Sequence, residues 1–272
     1  MGLKMPSVLA LFAHPDDIEF VAAGTLALLG KRGWDIHLMN LANGCCGSTS
    51  TSRKETARIR LEEAKQAASH LRATHYDPIF NDLEIEYTQD AIKHLLGIIR
   101  KSKPTILLTH APVDYMEDHM QTCRLAVTAA FAKGVPNYPE PSDRGYVEAI
   151  YSDIALYHAQ PHGNRTPMGQ VVRPQLGVFV DPVMETKRAM LAEHRSQQQW
   201  LKESQGMNSY IQTMLDLGSE LADAFATTGA GNLPGKYAEG WTRHLHLGFS
   251  AKPFDPLKEA LGDLAIELPS SY

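Results

Sequence analysis

The chain has 272 residues, of which 43% are hydrophobic and 21% are charged, with a formal net charge of −5. This composition is typical of a globular protein with a sizeable core, and it argues against nucleic-acid binding, which normally needs a basic face. No apolar run approaches the ~20 residues of a membrane span, and three cysteines form neither a disulfide framework nor a CxxC site. We therefore expect a cytoplasmic protein without a membrane span.

Through residue 135, short apolar runs alternate with longer amphipathic segments. The predicted strands are Val8–Ala13, Ile36–Leu41, Tyr76–Phe80 and Thr105–His110. The predicted helices are Asp17–Arg32, Ser52–Leu71, Gln89–Ser102 and His119–Lys133. Strands that alternate with helices in this way predict an α/β fold, Rossmann-like, with a mostly parallel sheet and helices on both faces.

Beyond residue 136 the sequence becomes rich in proline and glycine, and the alternation weakens. Ala149–His158 and Gly177–Val180 are predicted strands, whereas Pro182–Gln199 and Ser209–Ala226 are predicted helices. We expect a single domain over residues 1–272, in which a core over residues 5–135 is capped by residues 136–272.

Polar clusters follow three of the predicted strands. His14 and Asp17 follow the first strand, the loop Gly44–Ser50 follows the second, and Asp114–His119 follows the strand that ends at His110. In open parallel sheets, ligands bind outside the carboxyl ends of the strands. All three clusters are therefore predicted to meet at one edge of the sheet.

The segment His14-Pro15-Asp16-Asp17 brings an imidazole and two carboxylates to the end of a buried strand. One carboxylate can bind a metal ion while its neighbour stays free to accept a proton, as in a zinc hydrolase. His119 is the best source of a third ligand. Asp118 could orient a ligating imidazole through a hydrogen bond, or it could instead cap the start of a helix.

Together with Asp118-His119, the segment His14-Pro15-Asp16-Asp17 resembles the PIG-L/LmbE-like family of zinc-dependent de-N-acetylases. That family includes N-acetylglucosaminyl-phosphatidylinositol deacetylases and the deacetylases of mycothiol and bacillithiol synthesis. The likeness spans roughly residues 5–200, and the segments around Arg60, Asp82 and His194-Arg195-Ser196-Gln197 agree with it. It implies an LmbE-like fold whose C-terminal part caps the site.

The resemblance also implies roles for individual residues. His14, Asp17 and His119 match the family's zinc ligands, and Asp16 matches the general base that deprotonates the attacking water. The implied reaction removes an N-acetyl group from an amino sugar or its conjugate. The expected partner is thus a small N-acetylated sugar, and we expect a homo-oligomer.

Two further positions match residues that contact the sugar in relatives. These are Arg60 and Asp82. For Arg60, a solvated helix face is an equally good interpretation, because the residue lies in a run of basic side chains.

One position departs from the family pattern. Relatives usually have His-Pro-Asp-His around the second ligand motif, whereas this chain has Met116-Glu117-Asp118-His119. The missing histidine is thought to stabilise the oxyanion or to protonate the leaving amine, and methionine can do neither. Loss of one such donor costs on the order of 10²–10³ in rate.

Several side chains could replace this donor. Tyr115, which we also expect to contact substrate, is adjacent in sequence. The other candidates are His110, His158, His162, His194, His244 and His246. The departure also supports an alternative function, other zinc chemistry such as hydrolysis of a different amide or hydration of a small carboxylate. A non-catalytic binding protein is a further alternative, although pure binding has no use for Asp16.

Overall fold

The structure is a computed structural model that describes residues 5–139, 145–205, 209–226, 233–250 and 254–268. Its strands are β1 Ser7–Phe12, β2 Asp35–Asn40, β3 Thr74–Tyr76, β4 Ile106–Thr109, β5 Ala155–Ala159, β6 Leu176–Phe179, β7 Ala238–Arg243 and β8 Ala265–Glu267. Its α-helices are α1 Asp17–Val21, α2 Ala23–Lys31, α3 Arg53–Ser69, α4 Gln89–Ser102, α5 Glu117–Phe131, α6 Met184–Ala192, α7 Arg195–Gln205, α8 Tyr210–Ala226 and α9 Pro256–Leu261.

The strands form one eight-stranded sheet in the order β3-β2-β1-β4-β5-β7-β6-β8. Strands β1 to β5 pair in parallel, whereas β7 runs antiparallel to both β5 and β6, and β8 runs antiparallel to β6. The predicted α/β fold with a mostly parallel sheet is confirmed. Strands β5 to β8 come from the predicted capping region and extend the sheet of the predicted core.

Strand β1 is buried over its whole length, because helices cover both faces of the sheet. Val8, Ala10 and Phe12 pack in one cluster with α2, while Leu9 and Leu11 pack in a second cluster with α4 and α5. Alternate residues of a strand point to opposite faces, so a central parallel strand needs apolar residues at every position. The continuous apolar run in the sequence is explained by this double burial.

The predicted helix Asp17–Arg32 is in fact two helices, α1 and α2, that meet at Ala22. The division into two helices is caused by a contact with a residue that is distant in sequence. Both carboxylate oxygens of Glu239, in β7, accept hydrogen bonds at the start of α2, from the N–H groups of Gly24 (2.8 Å) and Thr25 (2.7 Å). These N–H groups would otherwise lack partners at a helix start, so the carboxylate stabilises a new helix there.

Other differences concern the second half of the chain. The predicted helix Pro182–Gln199 is interrupted between α6 and α7, and the predicted strand Ala149–His158 is ordered as β5 only from Ala155. At the α7 start, the N–H and the hydroxyl of Ser196 donate to Glu63 at 2.9 and 2.6 Å. Among the described residues, no helix has the length and apolar character needed to cross a membrane.

Glu239 also forms a buried ion pair with Lys187 of α6, and both residues are under 5% exposed. We predict that Glu239→Ala lowers the free energy of unfolding by about 3–5 kcal/mol, because the change leaves a buried ammonium without its partner. The measurement is urea denaturation followed by circular dichroism. The control is Glu267→Ala, which removes a surface pair with Lys258 and should cost about 0–1 kcal/mol. Equal losses for both variants would contradict the prediction.

Candidate metal centre and active site

The loop that leaves β1 separates two neighbouring carboxylates. Asp16 has φ 105° and ψ −26°, a left-handed backbone that non-glycine residues rarely adopt. The following residue, Asp17, accepts a hydrogen bond from the N–H of His14 at 2.7 Å. Asp17 then faces a group of histidines, whereas Asp16 faces Arg60 and a tyrosine. The two carboxylates therefore have different surroundings.

All three predicted metal ligands come together beyond the end of β1. The ligand atoms of His14, Asp17 and His119 lie within 4.8 Å of one another. Nδ1 of His14 is 3.3 Å from Oδ2 of Asp17, and Nε2 of His119 is 3.5 Å from Oδ1 of Asp17. Ligand atoms held ~2.1 Å from a tetrahedral zinc ion are about 3.4 Å apart, so these separations fit zinc.

A carboxylate lies behind each of the two imidazoles. Nε2 of His14 is 3.0 Å from Oδ2 of Asp118, and Nδ1 of His119 is 3.1 Å from Oδ1 of Asp114. A carboxylate at one ring nitrogen favours a proton there and leaves the lone pair of the other nitrogen for a metal ion. The ligand atoms would accordingly be Nδ1 of His14 and Nε2 of His119.

The position of Asp118 excludes the alternative that it caps the helix. The N-cap of α5 is Met116, which makes no side-chain capping bond, and Asp118 lies within the first turn. Its Oδ2 accepts the N–H of Leu83 at 2.7 Å in addition to its contact with His14. The side chain thus connects the imidazole to the loop after β3.

The electrostatics of the cluster also suit a cation. Burial opposes ionisation of His14, but the hydrogen bonds to Asp118 and Asp17 raise the pKa of His14 to about 10. Burial likewise opposes ionisation of Asp17, yet the charge of His119 and the hydrogen bond from His14 hold the pKa of Asp17 well below its usual range. The negative field of the carboxylates, which favours a proton on His14, would equally favour a divalent ion in place of that proton.

A second trio, His110, Asp114 and His119, also has its ligand atoms within 4.8 Å. However, Nε2 of His110 accepts the N–H of Ala13 at 2.9 Å, and burial lowers the pKa of His110 to about 4. A neutral His110 with Nε2 as acceptor carries its proton on Nδ1, so it has no lone pair left for a metal ion. His110 instead stacks on His119, with ring centroids 4.0 Å apart.

A third group, Cys45, Cys46 and Asp82, is better explained as a structural contact. The two carboxylate oxygens of Asp82 accept the N–H groups of Gly44 at 2.6 Å and Cys46 at 2.9 Å. Burial, followed by the hydrogen bond to Cys45, raises the pKa of the Cys46 thiol to about 11, and a protonated thiol is a poor ligand. Asp82 thus holds the loop after β2.

Asp16 lies beside the metal centre and is held by two side chains. The hydroxyl of Tyr210 donates to Oδ2 of Asp16, and Nη2 of Arg60 lies 3.3 Å from the same oxygen. Arg60 also donates to the carbonyls of Gly44 (3.4 Å) and Pro15. Burial raises the pKa of Asp16 despite the opposing charge of Arg60. A carboxylate with a raised pKa is better suited to accept a proton near neutral pH.

Sequence reasoning missed two residues of this site. Asp114 was noted only as part of the loop before α5, although its placement after the β4 strand was an available signal. Tyr210 gave no signal, because it lies 194 positions from Asp16 and starts a helix of the predicted capping region.

A cavity of about 450 Å³ opens above these groups. The predicted site residues line it, with the exception of Asp118, which lies behind His14. One side of the cavity is an aromatic wall, in which neighbouring ring centroids are 5.0–6.0 Å apart; its members in spatial order are Tyr115, His162, Phe20 and Tyr210. The rings of Tyr115 and His119 make a T-shaped contact, with centroids 5.4 Å apart.

The lining of the cavity reduces the list of side chains that could replace the proton donor missing at Met116. Of the candidates, His110, Tyr115 and His162 line the cavity together with Met116. The remaining histidines lie elsewhere: His194 is fully buried 3.4 Å from Glu19, His158 and His244 contact each other at 2.9 Å, and His246 packs near Phe131.

Two variants test whether the metal ion is bound by the group that contains His14 and Asp17 or by the group that contains His110 and Asp114. We predict that His119→Asn reduces zinc well below one ion per chain, because it removes a ligand, whereas His110→Asn keeps one ion per chain. The measurement is elemental analysis after dialysis, with circular dichroism to confirm folding. The assignment of the centre is wrong if the His110 variant loses the ion while the His119 variant keeps it.

The chain is similar to known proteins over much of its length. Residues 9–131 match the family model of PIG-L, GlcNAc-PI de-N-acetylase. A diacetylchitobiose deacetylase of Thermococcus kodakarensis is 29% identical over 198 residues, which are 70% of this chain and 69% of that protein. A 4-oxalmesaconate hydratase of Pseudomonas putida is 25% identical over 249 residues, 88% of this chain and 90% of that protein.

Solved structures share the fold. The N,N'-diacetylchitobiose deacetylase of Pyrococcus horikoshii superposes with a TM-score of 0.75 at 23% identity, over 93% of this chain and 89% of that chain. The 4-carboxy-2-hydroxymuconate hydratase of Pseudomonas putida superposes with a TM-score of 0.73 at 22% identity, over 89% of this chain and 97% of that chain. Residues 9–131 are thus similar in sequence to the PIG-L, GlcNAc-PI de-N-acetylase family, and the chain shares its fold with these deacetylase and hydratase structures.

Proposed function

We propose that the protein is a zinc-dependent hydrolase that removes an N-acetyl group from an amino sugar or its conjugate. The observation that carries this proposal is the close grouping of His14, Asp17 and His119 beside a separately held Asp16, at the base of a cavity of about 450 Å³. The matched family model and the similarity to a diacetylchitobiose deacetylase support the same reaction class.

His14, Asp17 and His119 would hold the metal ion, with Asp118 and Asp114 orienting the two imidazoles. When bound, zinc lowers the pKa of a ligated water toward ~7 and polarises a carbonyl group. Asp16 then accepts the proton of the attacking water, because Arg60 and Tyr210 hold this carboxylate away from the imidazoles that contact Asp17.

The cavity lining favours a neutral acetamido sugar over a small polycarboxylate. Among the described lining residues, Arg60 is the one lysine or arginine side chain, and its guanidinium faces Gly44, Pro15 and Asp16. Carboxylate ligands are bound most strongly by charged donors such as arginine, which the lining does not offer to a ligand. The ring of Tyr115, 60% exposed, gives a surface on which a sugar can pack.

A second candidate function is hydration of a small carboxylate or hydrolysis of a different amide by the same centre. Two observations support it: the 25% identity to a 4-oxalmesaconate hydratase over 88% of this chain, and the absence of a proton donor at Met116. In this case the zinc ion would itself have to bind a substrate carboxylate.

The other predictions made from the sequence concern substrate contacts, oligomeric state, location and domain organisation, and they differ in the observations that support them. We propose that Tyr115 contacts substrate, since it lies on the cavity wall beside His119. Arg60 and Asp82 line the cavity but make hydrogen bonds to the protein itself, so their direct contact with a sugar stays a prediction. The homo-oligomeric state, the cytoplasmic location and the single domain over residues 1–272 also stay predictions.

The proposal is tested by acetate release from N-acetylglucosamine and diacetylchitobiose, with and without a chelator. We predict zinc-dependent release by the wild type and a decrease of about 10²–10⁴-fold in Asp16→Asn, because the variant lacks the base. The variant should keep its zinc by elemental analysis. Asp77→Asn, an exposed carboxylate that pairs with Lys65, is the matched control and should keep full activity. Full turnover by Asp16→Asn would remove Asp16 from the mechanism.

A second prediction concerns the tyrosine that holds the base. Tyr210→Phe should lower kcat about 10- to 100-fold with little change in KM, because a hydrogen bond to a charged group is lost while the ring stays in place. Steady-state kinetics and zinc content are the measurements. Tyr151→Phe, at a tyrosine that is 77% exposed, is the control. An unchanged kcat would mean that Arg60 alone positions Asp16.

A further inference from the structure

Two glutamines that line the cavity have buried oxygens without a partner. Gln160 and Gln197 are 5% and 7% exposed, and the Oε1 atom of each makes no hydrogen bond with any residue that the structure describes. Buried polar groups in proteins are nearly always hydrogen-bonded, so each unpaired oxygen needs an explanation. Both glutamines lie outside the metal centre and the contacts of Asp16.

Gln197 lies in the first turn of α7, whose start is fixed by the contact of Ser196 with Glu63. Its Oε1 lies 2.8 Å from the position that a Cβ atom on Gly47 would take. Only a glycine leaves this space for the carboxamide. One helical turn further along, Trp200 lines the same cavity.

Gln160 follows directly after β5, at the carboxyl end of that strand. Its Cγ lies 2.7 Å from the position of a Cβ atom on Gly240 in β7, so this glutamine too is packed closely against a glycine. Close packing fixes the stems of both side chains, whereas the terminal torsion of glutamine is broad and turns at little cost. Each carboxamide can therefore rotate to meet a ligand in the cavity.

We propose that Gln160 and Gln197 are specificity residues that hydrogen-bond a neutral, hydroxyl-rich ligand, an acetamido sugar whose acyl group lies at the metal centre. This inference rests on the proposed function. A carboxamide oxygen needs a donor, which sugar hydroxyls supply. A carboxylate ligand brings acceptors only and would leave both oxygens unpaired. Two uncharged carboxamides thus suit a sugar better than a polycarboxylate.

The test uses Gln160→Met and Gln197→Met in the zinc-loaded protein, since methionine has a similar length and accepts no strong hydrogen bond. We expect kcat/KM for N-acetylglucosamine to fall by about 5- to 100-fold in each variant. Hydrolysis of 4-nitroacetanilide, which has no hydroxyl groups, should be unchanged. Gln199→Met is the matched control, because Gln199 is exposed on the same helix and contacts Glu203.

Calorimetric titration with N-acetylglucosamine separates this proposal from the proposed function. Sugar binding by the wild type that weakens in both methionine variants, without acetate release, would support the carboxamide contacts and reject deacetylation. Circular dichroism and the zinc content of both methionine variants control for a folding defect. Equal losses on both substrates, no loss in either methionine variant, or no sugar binding by the wild type would overturn the proposal.

Discussion

The site depends on two adjacent carboxylates that face different partners. A left-handed backbone at Asp16 turns the chain between β1 and α1, so that Asp17 meets His14 and His119 while Asp16 meets Arg60. If both carboxylates faced the imidazoles, the centre would gain a ligand but would lose a base. The turn can do this only because β1 is held on both faces by the core, which fixes where the loop begins.

Two carboxylates, the buried Glu239 and the half-buried Glu63, hold elements of the second half of the chain against elements of the first half. Glu239 binds the start of α2 and Lys187, and Glu63 binds the start of α7. The contact of Glu63 fixes α7, the helix that carries Gln197. Glu239 lies in β7, and α8, the helix that carries Tyr210, packs on β7. Directional hydrogen bonds at helix starts set position and orientation together, which apolar packing alone does less strictly. The parts of the cavity wall that carry Gln197 and Tyr210 are therefore held by directional contacts as well as by packing.

The sequence was sufficient to predict that His14, Asp17 and His119 come together, but it did not predict what surrounds them. His14, Asp17 and His119 could be predicted because each follows a parallel strand, and parallel strands end at one edge. The break between α1 and α2 could not, since its cause is Glu239, 215 positions from Gly24. Strand β7 was also missed, because its Glu239 and Gly240 interrupt any apolar alternation.

Because position 116 is a methionine, a proton donor must come from another position of the site. His110 is nearest to the metal ligands, but its Nε2 is occupied by the N–H of Ala13 and its lowered pKa keeps it neutral. Tyr115 keeps its proton at neutral pH, because a phenol ionises only near pH ~10. His162 follows Tyr115 along the aromatic wall, and its side chain is exposed. The remaining donor candidates, Tyr115 and His162, thus lie on the aromatic wall and not at the base of the cavity.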